Sequence, residues 1–204
     1  MVRAILDGRK TQTRRVMKPM SEHAKSCPYG VPGDRLWVRE AFARMSWLED
    51  PSQVPHREID GELIVYREQY PGLVLCDGDG FADYNQNGTE KSPWKPSIHM
   101  PRRFSRLTLE VKRVWVERVQ EISEADAYAE GVEMVSGPKE PEYGVPGLAP
   151  TFKHYENPGF NGGRGVGVKH SFQTLWDSIN AKTYPWKSNP WVWCVEFEQV
   201  EVPA

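Results

Sequence analysis

The amino-acid sequence predicts an α+β fold, a small mixed β-barrel with flanking helices and long loop insertions, organised as a single domain over residues 1–204. The first observation is a series of short segments in which apolar and polar residues alternate, which predicts five or six strands. The second is the content of Gly and Pro, 17 residues of each among 204, or about 17% against a usual value of about 12%. The third is that 39% of the residues are hydrophobic and eight are Trp, which is enough for a packed core without disulfides.

The first predicted elements are a short helix and three strands. Residues 2–7 predict a helix that ends at Gly8, a residue suited to the position after a helix. Residues 11–16 alternate and are rich in Thr and Val, which predicts a strand. The segment YGVPGD predicts a turn before a strand over 35–40, and residues 62–68 predict another strand.

The middle of the chain predicts a long strand followed by a helix. Residues 105–119 alternate with one change of phase near Arg113, which indicates a strand with a β-bulge. Ser123, followed three residues later by Asp126, resembles a capping box, and Gly131 is expected to end the helix that begins there.

Two insertions and a final helix and strand complete the prediction. Two segments predict insertions, at about residues 69–97 and 135–167. The first is rich in Gly and polar residues, and the second is rich in Gly and Pro. The second is interpreted either as an insertion that folds over a site or as a mobile lid. An apolar stripe over 172–179 predicts a helix, and residues 191–200 predict a closing strand. The tryptophans in predicted strands are expected in the barrel core: Trp37, Trp115, Trp191 and Trp193.

The charge is unevenly distributed along the chain. The formal net charge is −2, which argues against a nucleic-acid coat protein. Residues 1–18 nevertheless carry a net charge of +5 and residues 91–118 a net charge of +6, so the remainder carries −13. The two basic segments either pair with acidic residues inside the protein or form an anion-binding face together.

The sequence predicts a cytoplasmic protein without a metal or another cofactor. Its three cysteines are widely spaced and form no C-x-x-C pattern, which argues against a disulfide framework or a zinc site. A segment that resembles a calcium loop, beginning at Asp83, has Trp94 where the loop requires Glu. No apolar run approaches the roughly 18 residues that span a bilayer, so no association with a membrane is expected.

The segment ILDGRKTQTRR, residues 5–15, contains the most informative pattern in the sequence. Here the chain resembles the ASCH family, whose small PUA-like barrels carry a G-x-K signature followed by a strand with Thr and Arg. The matching residues are Gly8, Lys10, Thr11, Thr13 and Arg15. The resemblance covers roughly residues 1–40, 94–134 and 170–200, and it implies the PUA-like form of the predicted barrel.

One subgroup of that family shares the I-L-x-G-R-K-T-x-T pattern found here at residues 5–13. These are small bacterial amidohydrolases that remove the acyl group from N(4)-acetylcytidine. The resemblance implies catalytic roles for Lys10, Thr13 and Glu130, with no cofactor. The WKPSIHMPR segment and the late insertion look instead like ASCH proteins carried by bacteriophages and prophages.

Two features depart from the small amidohydrolases. Their family normally has a strand before the first helix, so one strand of the barrel is expected either to be missing here or to be replaced by another segment. The 135–167 insertion is absent from them, which bears on substrate size and access to the site.

Two chemistries remain open for these residues. Lys10, with a pKa lowered by burial or by nearby arginines, could activate Thr13 as a nucleophile, while Glu130 either delivers a proton to the departing cytosine amine or activates the water that removes the acyl group. Alternatively, a charged Lys10 stabilises the tetrahedral oxyanion and Glu130 activates water directly. The ordinary interpretation is that Thr13 reflects strand propensity, Lys10 a cation at a helix end and Glu130 an exposed helix residue.

Other residues are candidates for binding the substrate. The extended, proline-bounded segment near Trp94 could stack a base and contact phosphate, although a core Trp with solvated arginines would give the same pattern. The candidate substrate-binding residues are Arg9, Arg15, Trp94, Lys95, His99, Arg102 and Arg103. The expected partner is a small nucleoside substrate. RNA is the alternative partner, in a noncatalytic RNA- or nucleotide-binding module or a ribonuclease.

Overall fold

The computed structural model describes residues 2–17, 27–45, 56–69, 94–136, 151–153, 155 and 167–200. The helices are α1 (Val2–Leu6), α2 (Glu124–Ala129) and α3 (Val168–Asn180). The strands are β1 (Gln12–Val16), β2 (Arg35–Trp37), β3 (Phe42–Met45), β4 (Arg57–Ile59), β5 (Glu62–Tyr66), β6 (Thr108–Arg118), β7 (Met134–Ser136), β8 (Thr151–Phe152) and β9 (Trp191–Val200). Short 3-10 turns lie at Arg67–Gln69, Ser97–His99, Arg102–Phe104, Val119–Glu121 and Trp186–Ser188.

The strands form three sheets within the described residues. Their strand orders are β1-β9-β6-β2, β3-β5-β4 and β7-β8. The pairs β1 with β9, β3 with β5, β4 with β5 and β7 with β8 are antiparallel. The predicted α+β class, with few helices and antiparallel pairing, is therefore confirmed at this level.

The chain divides into two compact units. The first unit consists of residues 3–35 and 110–199, and the second consists mainly of residues 36–109. The core of the first unit includes Phe172 and Trp176 of α3 together with Val192 of β9. The core of the second unit comprises Phe42, Ile64, Tyr66, Met100 and Phe104.

Several local predictions agree with the structure. Helix α1 ends before Gly8, whose φ of +71° is the left-handed conformation expected there. Strand β9 has the predicted bounds, and α2 begins after the Ser123 cap. The alternation of β6 breaks at Lys112 and Arg113, which are both exposed. The strand itself begins at Thr108, after a 3-10 turn, rather than at residue 105.

Other local predictions were incomplete or wrong. The described residues contain nine strands rather than five or six, since β3, β4, β7 and β8 were not predicted. The expectation that Trp191 lies in the core is wrong: the residue is 46% exposed, and the Arg118 guanidinium stacks on its ring at 4.3 Å. Most of both predicted insertions, and the calcium-like segment that begins at Asp83, lie outside the described residues.

None of the helices in the described part of the chain combines the length and the apolar character that a membrane span requires.

Candidate active site

The backbone brings Lys10 next to the end of α2. After the reversal at Gly8, the Lys10 amide donates to the Ala4 carbonyl at 2.9 Å, and the Thr11 amide donates to the Ala129 carbonyl at 2.8 Å. Lys10 and Glu130 consequently form an isolated antiparallel bridge. Two residues 120 positions apart in sequence thus become backbone neighbours.

Helix α2 is held at both ends. At its start, the Ser123 hydroxyl accepts a hydrogen bond from the Asp126 amide at 3.0 Å, a standard N-cap. After its end, Gly131 has a φ of +81°. A Cβ atom on Gly131 would lie 2.8 Å from Lys10 Cβ and 2.9 Å from Ala4 Cβ. Only glycine therefore allows α1, Lys10 and the end of α2 to approach this closely.

The Lys10 side chain is buried and fully hydrogen-bonded. Its Nζ donates to Glu130 Oε2 at 2.7 Å, to the Glu130 carbonyl at 2.9 Å and to the Gln12 carbonyl at 2.7 Å. An ammonium group has three hydrogens to donate, so all three are used. Burial lowers the pKa of Lys10, and the adjacent Glu130 carboxylate opposes that effect. The hydrogen bonds are those of a charged lysine that orients a carboxylate.

Arg14 holds the other oxygen of the same carboxylate. Its Nη1 lies 3.2 Å from Glu130 Oε1, and its Nε donates to Glu117 Oε1 at 2.8 Å. The Arg14 side chain is 1% exposed. Each oxygen of Glu130 is therefore bound by a different cation, which fixes the plane of the carboxylate.

Two further polar residues surround this pair of cations. Gln12 Nε2 donates to Asp126 Oδ1 at 2.9 Å, and the Ser123 hydroxyl donates to Asp126 Oδ2 at 2.8 Å. Burial alone would raise the pKa of Asp126, but these hydrogen bonds and the charge of Arg14 lower it overall.

Cys194 lies opposite Arg14 in the β1–β9 pair, and burial raises the pKa of its thiol. It is therefore an unreactive thiol at neutral pH.

A small cavity, called the site cavity below, lies beside Glu130 in the first unit. Its volume is about 60 Å³, which corresponds to about two water molecules at about 30 Å³ each. One wall is formed by Thr13, Arg14, Arg15, Val16 and Glu130, and the other by Phe172, Leu175, Trp176, Ile179 and Asn180 of α3. Lys10 does not line this cavity, so it contacts Glu130 from behind.

Thr13 lines the site cavity but lies outside the network of Lys10 and Glu130. It is half-buried on β1, opposite Val195, and its side chain alternates with those of Gln12 and Arg14. Among the described residues, no hydrogen bond joins its hydroxyl to Lys10 or to Glu130. The structure thus brings Lys10 and Glu130 into direct contact and brings Thr13 only to the cavity wall.

The two candidate binding residues of the first unit differ in position. Arg9 is exposed, and it bonds to the Asp7 carboxylate at 3.0 Å and to the Gly131 carbonyl at 3.3 Å. Arg15 is exposed on β1 opposite Trp193, and it lines the site cavity. Arg15 can therefore reach a ligand in the cavity, whereas Arg9 braces the turn after α2.

The other candidate binding residues belong to the second unit. Trp94 is half-buried, Lys95, His99 and Arg102 are exposed, and the Lys95 backbone pairs with Phe42. Arg103 lies 3.3 Å from Glu62, and its guanidinium stacks on the Phe104 ring at 4.9 Å. Arg103 is thus largely engaged within its own unit.

The sequence prediction of the site did not include Arg14, Gln12, Asp126 or the wall formed by α3. Strand alternation carries a signal for the first two, since residues 10, 12 and 14 share a face of an extended segment. Helix spacing carries a signal for Asp126, which lies four residues before Glu130. The α3 wall depends on packing, for which the sequence has no local signal.

Within the described residues, no three His, Cys, Asp or Glu side chains gather in an arrangement that could hold a metal ion. The chain matches no family model, no curated protein and no solved structure. The functional inference therefore rests on the sequence pattern at residues 5–13 and on the geometry around Glu130.

Proposed function

We propose that this protein is a metal-independent amidohydrolase with a PUA-like barrel, which removes the acyl group from N(4)-acylated cytosine nucleosides or bases. The observation that carries the proposal is the Glu130 carboxylate, held at the site cavity by Lys10 on one oxygen and Arg14 on the other. The resemblance of residues 5–13 to amidohydrolases of this class supplies the substrate.

Glu130 is the proposed acid and base of the reaction. It takes a proton from water, and the water oxygen forms a bond to the acyl carbon while the carbonyl π electrons move to the carbonyl oxygen. The tetrahedral intermediate then breaks its C–N bond, and Glu130 returns the proton to N4 of cytosine. The products are a carboxylic acid and the free cytosine compound.

Lys10 is the proposed positioning residue for Glu130. All three of its hydrogens are bound to Glu130 and Gln12, so in this arrangement it has neither a lone pair to accept a proton nor a hydrogen to donate to an oxyanion. This supports direct activation of water over a threonine nucleophile activated by Lys10. Thr13, on the cavity wall, is proposed to donate a hydrogen bond to the oxyanion.

The test is hydrolysis of N(4)-acetylcytidine by chelator-treated protein, followed by ultraviolet absorbance. We expect Glu130→Gln to lower kcat by about 10²- to 10⁴-fold and Thr13→Ala by about 10²-fold. Glu124→Gln is the matched control, because Glu124 is exposed on the same helix, and it should keep the wild-type rate. Circular dichroism verifies that each variant is folded.

Two results would contradict the proposal. Absence of hydrolysis across several acyl chains would exclude the amidohydrolase, and salt-dependent binding of single-stranded RNA in that case would favour the RNA-binding module. An acyl group found on Thr13 by mass spectrometry would show that Thr13, and not water, is the nucleophile.

A further inference from the structure

The α3 wall of the site cavity has an apolar face with the spacing of one helix side. Phe172, Leu175, Trp176 and Ile179 follow positions i, i+3, i+4 and i+7, so they lie together along about two turns. The opposite wall carries Arg14 and Glu130. A ligand in this cavity therefore meets charged groups on one side and hydrocarbon on the other.

The floor and the rim of that apolar wall differ in burial. Phe172 and Trp176 are each 3% exposed, and the Trp176 indole donates to the Tyr184 carbonyl at 2.8 Å. Leu175 is half-buried and Ile179 is 57% exposed. The floor is thus fixed in the core, while the rim presents hydrocarbon to solvent.

The size of the cavity limits what the floor can enclose. Its volume of about 60 Å³ corresponds to about two water molecules at about 30 Å³ each, which is room for the two carbon atoms of an acetyl group but not for a longer chain. A longer acyl chain would extend past this volume and along the exposed hydrocarbon of the rim.

We infer that Leu175 and Ile179 form an acyl-chain subsite that binds acyl groups longer than acetyl. This inference rests on the proposed function for the identity of the acylated substrate. Burial of apolar surface favours binding by about fourfold for each added methylene group. A butyryl substrate, with two methylene groups more than acetyl, is therefore expected to be favoured by about sixteenfold when the rim buries both groups.

The experiment compares kcat/KM for N(4)-butyryl- and N(4)-acetylcytidine in the wild type and in Ile179→Ser. We expect the ratio of the butyryl to the acetyl kcat/KM to fall about tenfold in the variant. Lys169→Ser is the matched control, since Lys169 is exposed on α3 and does not line the cavity, and it should keep the wild-type ratio.

A binding measurement separates this inference from the proposed function. Titration with acetamide and butyramide, followed by NMR, should show tighter binding of butyramide to the wild type and no such preference in Ile179→Ser. If no acylcytosine is hydrolysed but this preference is found and is lost in the variant, the subsite stands and the proposed function fails. If hydrolysis occurs and Ile179→Ser keeps the wild-type ratio, or if the wild type binds both amides equally, the subsite is overturned.

Discussion

Each unit of the protein buries one carboxylate among its described residues, Glu130 in the first and Glu40 in the second. Glu40 accepts both of its hydrogen bonds from one arginine, with Arg106 Nε at 2.9 Å and Nη2 at 2.7 Å. Glu130 divides its oxygens between Lys10 and Arg14. Both buried carboxylates are therefore stabilised by cations, but the arrangement of the cations differs between the two sites.

The two carboxylates differ in whether a ligand can reach them. The Glu40 side chain is 0% exposed, and the Tyr66 ring covers its arginine partner at 4.3 Å. Glu130 is almost as deeply buried, yet it lines the site cavity. A bidentate pair sealed in a core is typical of a structural contact, whereas a carboxylate fixed at a cavity wall can exchange protons with a ligand. Burial alone thus does not identify a catalytic carboxylate.

The largest expected effect comes from breaking each pair in turn. Glu130→Gln and Glu40→Gln each leave a buried cation without its partner, so each should lower the free energy of unfolding by about 3–5 kcal/mol in urea denaturation. Only Glu130→Gln should also lower kcat by about 10²- to 10⁴-fold in the molecules that remain folded. The double variant Lys10→Met/Glu130→Gln removes both charges and should recover most of the stability but none of the activity.

This comparison fails if folded Glu40→Gln loses as much kcat as Glu130→Gln, because the sealed pair would then contribute to chemistry. It also fails if the double variant regains activity along with stability.

A smaller effect is expected from the glycine that permits the close approach in the first unit. Gly131→Ala and Gly8→Ala both place alanine at a positive φ, at a cost of about 1–2 kcal/mol. Only at Gly131 would the new Cβ meet other atoms, the Cβ atoms of Lys10 and Ala4. We expect thermal denaturation to show a larger loss for Gly131→Ala, by about a further 1 kcal/mol or more, together with a reduced kcat.

Gly8→Ala is the control for backbone strain, since nothing lies within 4 Å of its added Cβ. Equal losses of stability for the two variants would contradict this prediction, because they would mean that the contact of the new Cβ with Lys10 does not change the free energy of unfolding.

The smallest effect concerns Asp126, at the outer side of the Glu130 network. Its pKa is lowered below the ordinary value of 3.8 in the folded protein, so its contribution to stability is present above about pH 4 and is lost as the pH falls through the lowered pKa. Asp126→Asn should cost at most about 1 kcal/mol at neutral pH. Urea denaturation between pH 5 and pH 3 should show a shallower loss of stability than in the wild type. A variant with the wild-type pH profile would contradict this role.

The sequence predicts best the elements that have strong local signals. Helix α2 has a Ser cap and a terminal Gly, and strand β9 alternates over its whole length. Strand β3 has four residues, and Phe42 and Ala43 are both buried, so it lacks the alternation that identifies a strand. Strands β4 and β5 join through Asp60 and Gly61, both at positive φ, and an Asp-Gly pair is a local sequence signal for a two-residue hairpin.

The site could be predicted in part for the same reason. The pattern around Lys10 is contiguous and points to Glu130 through the family resemblance. The sharing of Glu130 between two cations, the position of Lys10 behind it and the α3 wall all depend on tertiary packing. Long-range packing of this kind leaves no periodic trace in a single sequence.

The separation of Lys10 and Glu130 by 120 positions has a consequence for biosynthesis. Residues 36–109, which form most of the second unit, lie between the two halves of the first. At a synthesis rate of about 5–20 residues per second, Glu130 is added to the chain on the order of ten seconds after Lys10. The N-terminal segment therefore remains without its buried counter-ion while residues 36–109 are synthesised, and the proposed site can assemble only after α3 has also been synthesised.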